Sequence, residues 1–352
     1  MVIRGMVSVV IPTFNRAYCL PAALASLQRQ THTNWEAVVV DDGSTDDTPK
    51  LLARLSSEDS RIKVHRQSNG GVSSARNSAL ELVSGEWVGF LDSDDEWEPW
   101  KLAAQLACFA HLPEIGMVCT DMAAVDSTGA VVAPRFLRRM YRAYAAVDSG
   151  NLFQHQTTFG ELVPDFPASP ELASAPVRWG EMFSAMLYGN LVHTSTALVK
   201  RERLQAVGTF NESFRSGEDY EFHLRTCREG PIALLDLPSI RYRIGGGSDQ
   251  LTARRYRVEM AKNALLAREQ AIANDRKLIK LSNAELARIE SRANCWVAEE
   301  LFDVGRWSES RRYFFRALPE ARYKPKLLAK ALLVLAPDSF GSAMLKLRQR
   351  RV

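Results

Sequence analysis

Two β-branched runs open the chain, VSVVIP over residues 8–11 closed by Pro12, and WEAVVVDD over residues 35–40. Between them Leu20, Leu24 and Leu27 recur at helical spacing, which predicts one βαβ unit. The alternation goes on with a helix over residues 51–55, a strand IKVH ending at His65, a helix over 73–83 and a strand WVGFL ending at Leu91. Helices alternating with strands of this buried type predict an α/β fold: a Rossmann-like, doubly wound, mostly parallel sheet with ligand groups at the carboxyl ends of its strands.

Farther on, the pattern predicts a helix over 99–110, a strand over 117–119, a hairpin turn DSTG at 126–129, a strand TSTALV over 194–199 and a helix over 218–228. Residues 135–180 show no clear period. They hold Phe136, Tyr141, Tyr144, Phe153, Phe159 and Phe166 among four prolines, and predict a long variable loop or lid, the kind of segment that commonly carries specificity. From Thr252 onward only helices are predicted, punctuated by Gly305, Pro319, Pro325 and Pro337. The boundary falls near 245–248, giving a first domain over 1–248 and a helical region over 249–352.

Charge divides the chain in the same way. Residues 1–250 carry 23 Lys+Arg against 30 Asp+Glu, and residues 251–352 carry 22 against 11, beneath a net charge of +4. The basic helical region, ending in LKLRQRRV, reads either as a peripheral membrane-surface element or as a docking helix with a solvated cationic face, and nucleic acid is not among the expected partners. Residues 293–318 resemble one helical-repeat hairpin around Gly305 and Arg306, which predicts packing on the first domain or on a partner.

Composition narrows the class. Hydrophobic residues make up 46% and charged residues 24%, which excludes a disordered, collagen-like or disulfide-framework chain. The N-terminus shows no apolar run with cleavage chemistry, and the most apolar late stretch, residues 327–336, is shorter than the roughly 20 residues that span a bilayer. Five scattered cysteines without CxxC spacing predict reduced thiols and a cytoplasmic setting, at most peripheral to the membrane.

The chemistry is acidic. VVVDDGSTDDT sets Asp41 and Asp42 at a strand end, with Asp46 and Asp47 reading as helix caps. FLDSDDEW sets Asp92, Asp94 and Asp95 after another strand. Carboxylates so grouped repel by about 1–4 kcal/mol per pair unless a cation enters, and oxygen ligands favour Mg²⁺ or Mn²⁺ over zinc. Between them NGGVSSARN offers backbone amides, a helix cap at Ser73 or Ser74, and Arg76, a fixed cation able to meet a diphosphate in bidentate fashion. Glu218 and Asp219 open a helix, and Asp219 is the candidate general base. His193 reads as an acceptor-facing residue or as a structural one.

In order, VSVVIPTFNR, VVVDDGSTDDT, NGGVSSARN, FLDSDDEW and VGTFNESFRSGEDYEFHLR resemble the family-2 glycosyltransferases of the GT-A fold, over about residues 6–245. The resemblance implies a metal-dependent inverting transfer from a nucleotide-diphosphate sugar to a glycan or lipid-linked acceptor, commonly in surface-polysaccharide synthesis. It implies nucleoside contacts from Asp41 and Asp42, a base pocket lined by Pro12 and Phe14, ribose at Asp92, metal at Asp94, and proton abstraction by Asp219 with Glu218 beside it. Many relatives carry a histidine soon after a Tyr-Arg pair; here Tyr242 and Arg243 lead into Ile244 and three glycines, so metal is expected to rest on Asp94, phosphate and water, with Arg243 or the glycine-rich loop touching phosphate. A nucleotidyltransferase would bring a glycine-rich basic loop where PTFNRAYCL stands. A non-catalytic sugar-nucleotide-binding scaffold is the other alternative.

Overall fold

The computed structural model describes residues 2–147, 152–245, 254–321, 330 and 332, in two compact units, residues 1–247 and 248–352. Eleven strands form one sheet in the first unit: β1 (Ile3–Thr13), β2 (Trp35–Asp41), β3 (Ile62–Arg66), β4 (Gly85–Phe90), β5 (Glu96–Trp97), β6 (Met117–Val125), β7 (Val131–Ala133), β8 (His155–Thr158), β9 (Pro176–Gly180), β10 (Leu198–Lys200) and β11 (Ile232–Arg243). Their order is β3-β2-β1-β4-β10-β6-β11-β9-β8, with β5 on β11 and β7 on β6. The first four are parallel, and β10 runs antiparallel between β4 and β6.

β1 and β2 are continuous Val- and Ile-rich runs because helices cover both faces of the sheet here. The chain order reverses direction between β1 and β4, so the crevice beyond their carboxyl ends is the topological switch point. At the other end of the same strands Glu36, nearly buried, is fully engaged. Its Oε1 accepts from Ser8 Oγ at 2.5 Å and Ser84 N at 2.7 Å, and its Oε2 from Lys63 Nζ at 2.5 Å.

Three expectations change. Residues 135–180 are not a featureless lid: β8 and β9 pair antiparallel and β9 pairs with β11, so the segment extends the sheet. Its period is hidden because the strands span only four and five residues between short helices. The expected strand over 194–199 is a 3₁₀ turn, Thr194–Thr196, followed by the three-residue β10. Ser73 and Ser74 cap nothing, since the helix Val72–Leu82 begins before them on Gly71. The DSTG hairpin forms, with Asp126 N donating to Ala130 O at 3.0 Å.

In the second unit the described residues form helices Arg257–Asp275, Asn283–Asp303 and Trp307–Ala321 and no strand. A Ser282–Glu285 capping box starts the middle helix. Cys295, Ala298, Trp307, Phe314 and Ala317 close the last two helices on each other, and Val297, Leu301 and Ala293 meet Ala261 and Leu265 of the first. The hairpin thus packs within its own unit against the helix Arg257–Asp275, a partner the sequence reading did not name. Of the basic stretch over 327–352, only residues 330 and 332 are described. No helix among the described residues is long and apolar enough to cross a membrane. All five cysteines are buried and none is in a disulfide.

Candidate active site

Asp41 ends β2, 1% exposed. Its Oδ1 accepts from Ser44 N at 2.9 Å; its Oδ2 has no hydrogen-bond partner, with Arg66 Nε 3.5 Å away. An ionised oxygen buried without a donor is costly, and its natural complement is an N–H from a ligand. Asp42 is used differently. Its Oδ1 accepts from Gln67 Nε2 and Gly70 N, and its Oδ2 from Gly71 N, each at 2.8 Å. This carboxylate holds the glycine loop, whereas the second oxygen of Asp41 accepts no hydrogen bond. Gly43 takes φ 79°, and a Cβ there would meet Asn69 N at 2.9 Å, which is why the turn requires glycine.

Of the two residues expected to line a base pocket, Pro12 is buried in β1 opposite Val40, whereas Phe14 is exposed just past the strand end. Asn15, with φ 52°, ties this loop to the next: its Oδ1 accepts from Thr45 N at 2.8 Å, and its amide donates to Ser44 Oγ at 2.9 Å. Asp46 rather than Asp47 caps the following helix, through Thr48 N at 2.9 Å.

Arg76 is not solvated and is not left for a diphosphate. Its side chain, 5% exposed, donates from Nη1 to Glu218 Oε1 and from Nη2 to Asp92 Oδ1, both at 2.9 Å. Beside it Asn77 accepts from Phe210 N at 2.8 Å and donates to Phe210 O at 3.0 Å. One helical turn therefore locks the SSARN motif to the FNESF and GED motifs more than 130 residues away. Gly217, at φ 80°, turns the chain so that Glu218 and Asp219 open the helix Glu218–Arg228.

Burial, and then the charge of Asp219, raise the Glu218 carboxyl to about 7, with Arg76 opposing. Burial raises Asp219 as well. Asp219 is the more open of the two, and its Oδ2 accepts from Asn190 Nδ2 at 3.0 Å. Burial also acts on Asp92, but the charge of Arg76, with the hydrogen bonds from Arg76 and Ser195, outweighs it and keeps that carboxyl below its usual range.

The turn after β4 is pinned by residues a hundred positions on: Asp92 N donates to Ser195 Oγ at 3.1 Å and Trp97 Nε1 to Ser195 O at 3.0 Å. Asp95 is 1% exposed with neither oxygen hydrogen-bonded, and burial followed by the charges of Asp94 and Asp92 pushes it well above the carboxylate range. His193, 6% exposed, stacks edge-on against Tyr242, and burial holds it near 4, so its ring is neutral at pH 7. Ligand atoms of Asp92, Asp95 and His193 lie within 4.8 Å of one another. Two carboxylates and a neutral imidazole, with orphaned Asp95 oxygens and an orphaned His193 Nδ1, fit a divalent cation. Asp94, partly exposed, sits on the same turn and faces Cys19, whose thiol burial and the Asp94 charge raise to about 11.

Arg243 reaches Glu96 Oε1 and Ser127 O, each at 3.4 Å. Asp95, Asn190 and Ser195 extend the site beyond its expected core. Asp95 was visible as one of the acidic cluster, while nothing in the local pattern of GNLVHTST marks Asn190 or Ser195, whose partners are distant in sequence.

Residues 8–161 match the family model Glycosyl transferase family 2. The chain is 42% identical over 104 residues to TuaG of Bacillus subtilis, named for teichuronic acid biosynthesis, covering 29% of this chain and 41% of that protein. It is 40% identical over 103 residues to WfgD of Escherichia coli, named a UDP-Glc:α-D-GlcNAc-diphosphoundecaprenol β-1,3-glucosyltransferase, covering 29% and 40%. These matches span about two fifths of either relative. Among solved structures, S. aureus TarS 1-349 in complex with UDP-GlcNAc superposes with a TM-score of 0.57 at 20% identity over 93% of this chain and 88% of that one, a likeness of fold. A mannosyltransferase from Pyrobaculum calidifontis, in complex with GDP-Man and Mn²⁺, gives 0.51 at 18% identity over 97% and 86%. Over residues 8–161 the N-terminal unit is thus similar to glycosyl transferase family 2, and its fold is like that of these solved structures.

Proposed function

We propose that the protein is an inverting, metal-dependent glycosyltransferase that moves a sugar from a nucleotide diphosphate to a glycan or lipid-linked acceptor in cell-surface polysaccharide synthesis, on the cytoplasmic side. The observation that carries this is the convergence, at the carboxyl ends of β1, β2 and β4, of an Asp41 oxygen that accepts no hydrogen bond, the Arg76-held Asp92 and the partly exposed Asp219. The relatives' names agree in kind: TuaG with a surface polymer, WfgD with a lipid-diphosphate acceptor.

Asp41 Oδ2 accepts an N–H of the base, with Phe14 against the ring, and Asp92 faces the ribose. The acceptor hydroxyl gives its proton to Asp219 as its oxygen bonds to the anomeric carbon; the bond from that carbon to the diphosphate oxygen breaks, and the nucleotide diphosphate leaves with the electron pair. Asn190 orients the base, and Arg76 offsets the neighbouring Glu218. A divalent ion would be held by Asp94, with Asp92, Asp95 and His193 beside it, and as a Lewis acid it supplies charge stabilisation to the departing diphosphate.

The test is thermal stabilisation by UDP, GDP, dTDP and CDP, with and without Mn²⁺. A ligand at 100 times its Kd adds about 2.7 kcal/mol, so one nucleotide should raise Tm, and Asp94→Ala should abolish the metal-dependent part. No shift with any nucleotide would favour a non-catalytic scaffold instead.

A further inference from the structure

We propose that the guanidinium cluster of Arg135, Arg138 and Arg178 on Asp236 is a subsite for the phosphate or diphosphate group of the acceptor. This rests on the transfer reaction proposed above and names the chemistry of its second substrate.

Asp236 lies on β11 with its side chain 7% exposed. Arg135 donates to its Oδ1 and to its backbone oxygen, both at 2.8 Å, Arg138 donates to its Oδ2 at 2.9 Å, and Arg178 Nη1 meets the same Oδ2. Gln156 Oε1 fixes Arg178 Nε at 2.8 Å. Asp121 Oδ2 stands 3.7 Å from Arg135, but burial pushes that carboxyl up, toward its neutral form. Asp236 itself is held below its usual range despite burial, chiefly by Arg178 and then Arg138. Three cations thus share one firmly ionised carboxylate, and Arg135 and Arg138 remain about half exposed.

One arginine would neutralise Asp236, and exposed pairs add little stability, so the surplus of fixed positive charge calls for another partner. Arg139 and Arg142 of the same PRFLRRMYRAY run are exposed and add to it. Guanidinium forks already oriented by hydrogen bonds suit phosphate oxygens, because little side-chain freedom remains to be lost.

Position selects the acceptor over the donor. The donor residues stand on or beyond β1, β2 and β4, whereas Asp121, Asp236 and Arg178 stand on β6, β11 and β9, on the far side of β10. The Arg138 guanidinium lies 5.6 Å from the Tyr144 ring centre, Tyr144 Oη donates to Leu191 O at 2.7 Å, and the adjacent Asn190 holds Asp219. One tyrosine and one turn therefore join the cluster to the carboxylate that takes the acceptor proton.

The experiment is calorimetric titration of the full chain with inorganic pyrophosphate and with farnesyl diphosphate. Wild type is compared with Arg135→Gln/Arg138→Gln and with Asp41→Asn as the donor-side control; nucleotide-induced Tm shifts are followed in parallel. The expected result is at least a tenfold weaker diphosphate Kd in the double variant, an unchanged Kd in Asp41→Asn, and an unchanged nucleotide response in the double variant. If the double variant melts early, Arg138→Gln alone, which leaves Arg135 and Arg178 on Asp236, carries the comparison. Tighter binding of farnesyl diphosphate assigns a lipid-borne group, and equal binding a free or glycan-borne phosphate. No binding by wild type, an unchanged Kd in the arginine variants, or a loss confined to Asp41→Asn would overturn the subsite. A missing nucleotide response with diphosphate binding intact would overturn the donor reading instead.

Discussion

The two ends of the same parallel strands solve opposite problems. Near the amino ends, Glu36 is buried and every oxygen is met by a donor from Ser8, Lys63 or Ser84. At the carboxyl ends, Asp41 keeps one oxygen without a donor and Asp95 keeps two. Both are buried acidic sites in one sheet, yet one has every acceptor met by a hydrogen bond and the other does not. Satisfied networks stabilise, whereas unsatisfied ones are retained for a ligand, at a cost to stability.

The largest expected effect separates the ends most sharply. Asp219→Asn should lower kcat by about 10²- to 10⁴-fold, the range for a general base, with nucleotide-induced Tm shifts preserved. Retained turnover would move the base elsewhere. Next comes Arg76→Leu, which leaves the buried Glu218 and the partly exposed Asp92 without their cation and should cost about 3–5 kcal/mol of stability in a urea melt. A mild melt would show that the two carboxylates are protonated or watered rather than paired.

Smaller effects then take opposite signs. Glu36→Ala strands the Ser84 amide and the Ser8 hydroxyl and should cost about 1–3 kcal/mol, with nucleotide affinity intact. Asp95→Asn removes an orphaned acid and should leave the metal-free melt unchanged or higher while weakening Mn²⁺ dependence. Equal destabilisation by both would erase the contrast between the ends.

The contrast also explains what could be read from sequence. Residues at the carboxyl ends of β1, β2 and β4 were legible because each follows a β-branched run and precedes a turn, so Asp41, Asp92 and Asp94 announce themselves locally. Arg76 was legible as important but not as a hub, since its partners Glu218 and Asp92 come from elements brought beside it only by the folded sheet. The same holds for Asn190 on Asp219 and Ser195 beneath Asp92. Residues 135–180 concealed two strands because each gains its identity from pairing, β8 on β9 and β9 on β11, rather than from a hydrophobic period of its own. Asp42 misled for a related reason: its neighbours in space are the Gly70 and Gly71 amides, which the acidic pattern does not display.

The finest probe of the open end is pH. Glu218, lifted to about 7 by burial and then by Asp219, shares its titration with that raised neighbour, so the apparent value belongs to the pair. The folded protein binds the pair's proton more tightly than the unfolded chain, whose Glu and Asp titrate near 4.5 and 3.8. Stability from this source is therefore full at low pH and is lost as pH rises from those values through about 7. On the proposed reaction catalysis runs the other way, because Asp219 as the base must be ionised to take the acceptor proton. The kcat/KM profile should rise over the same window that lowers Tm. Glu218→Gln removes the like charge, so the rising limb should move to lower pH and the Tm loss across the window should shrink. An unmoved limb with an unchanged Tm profile would mean that Arg76 already cancels Glu218, and that the base titrates alone.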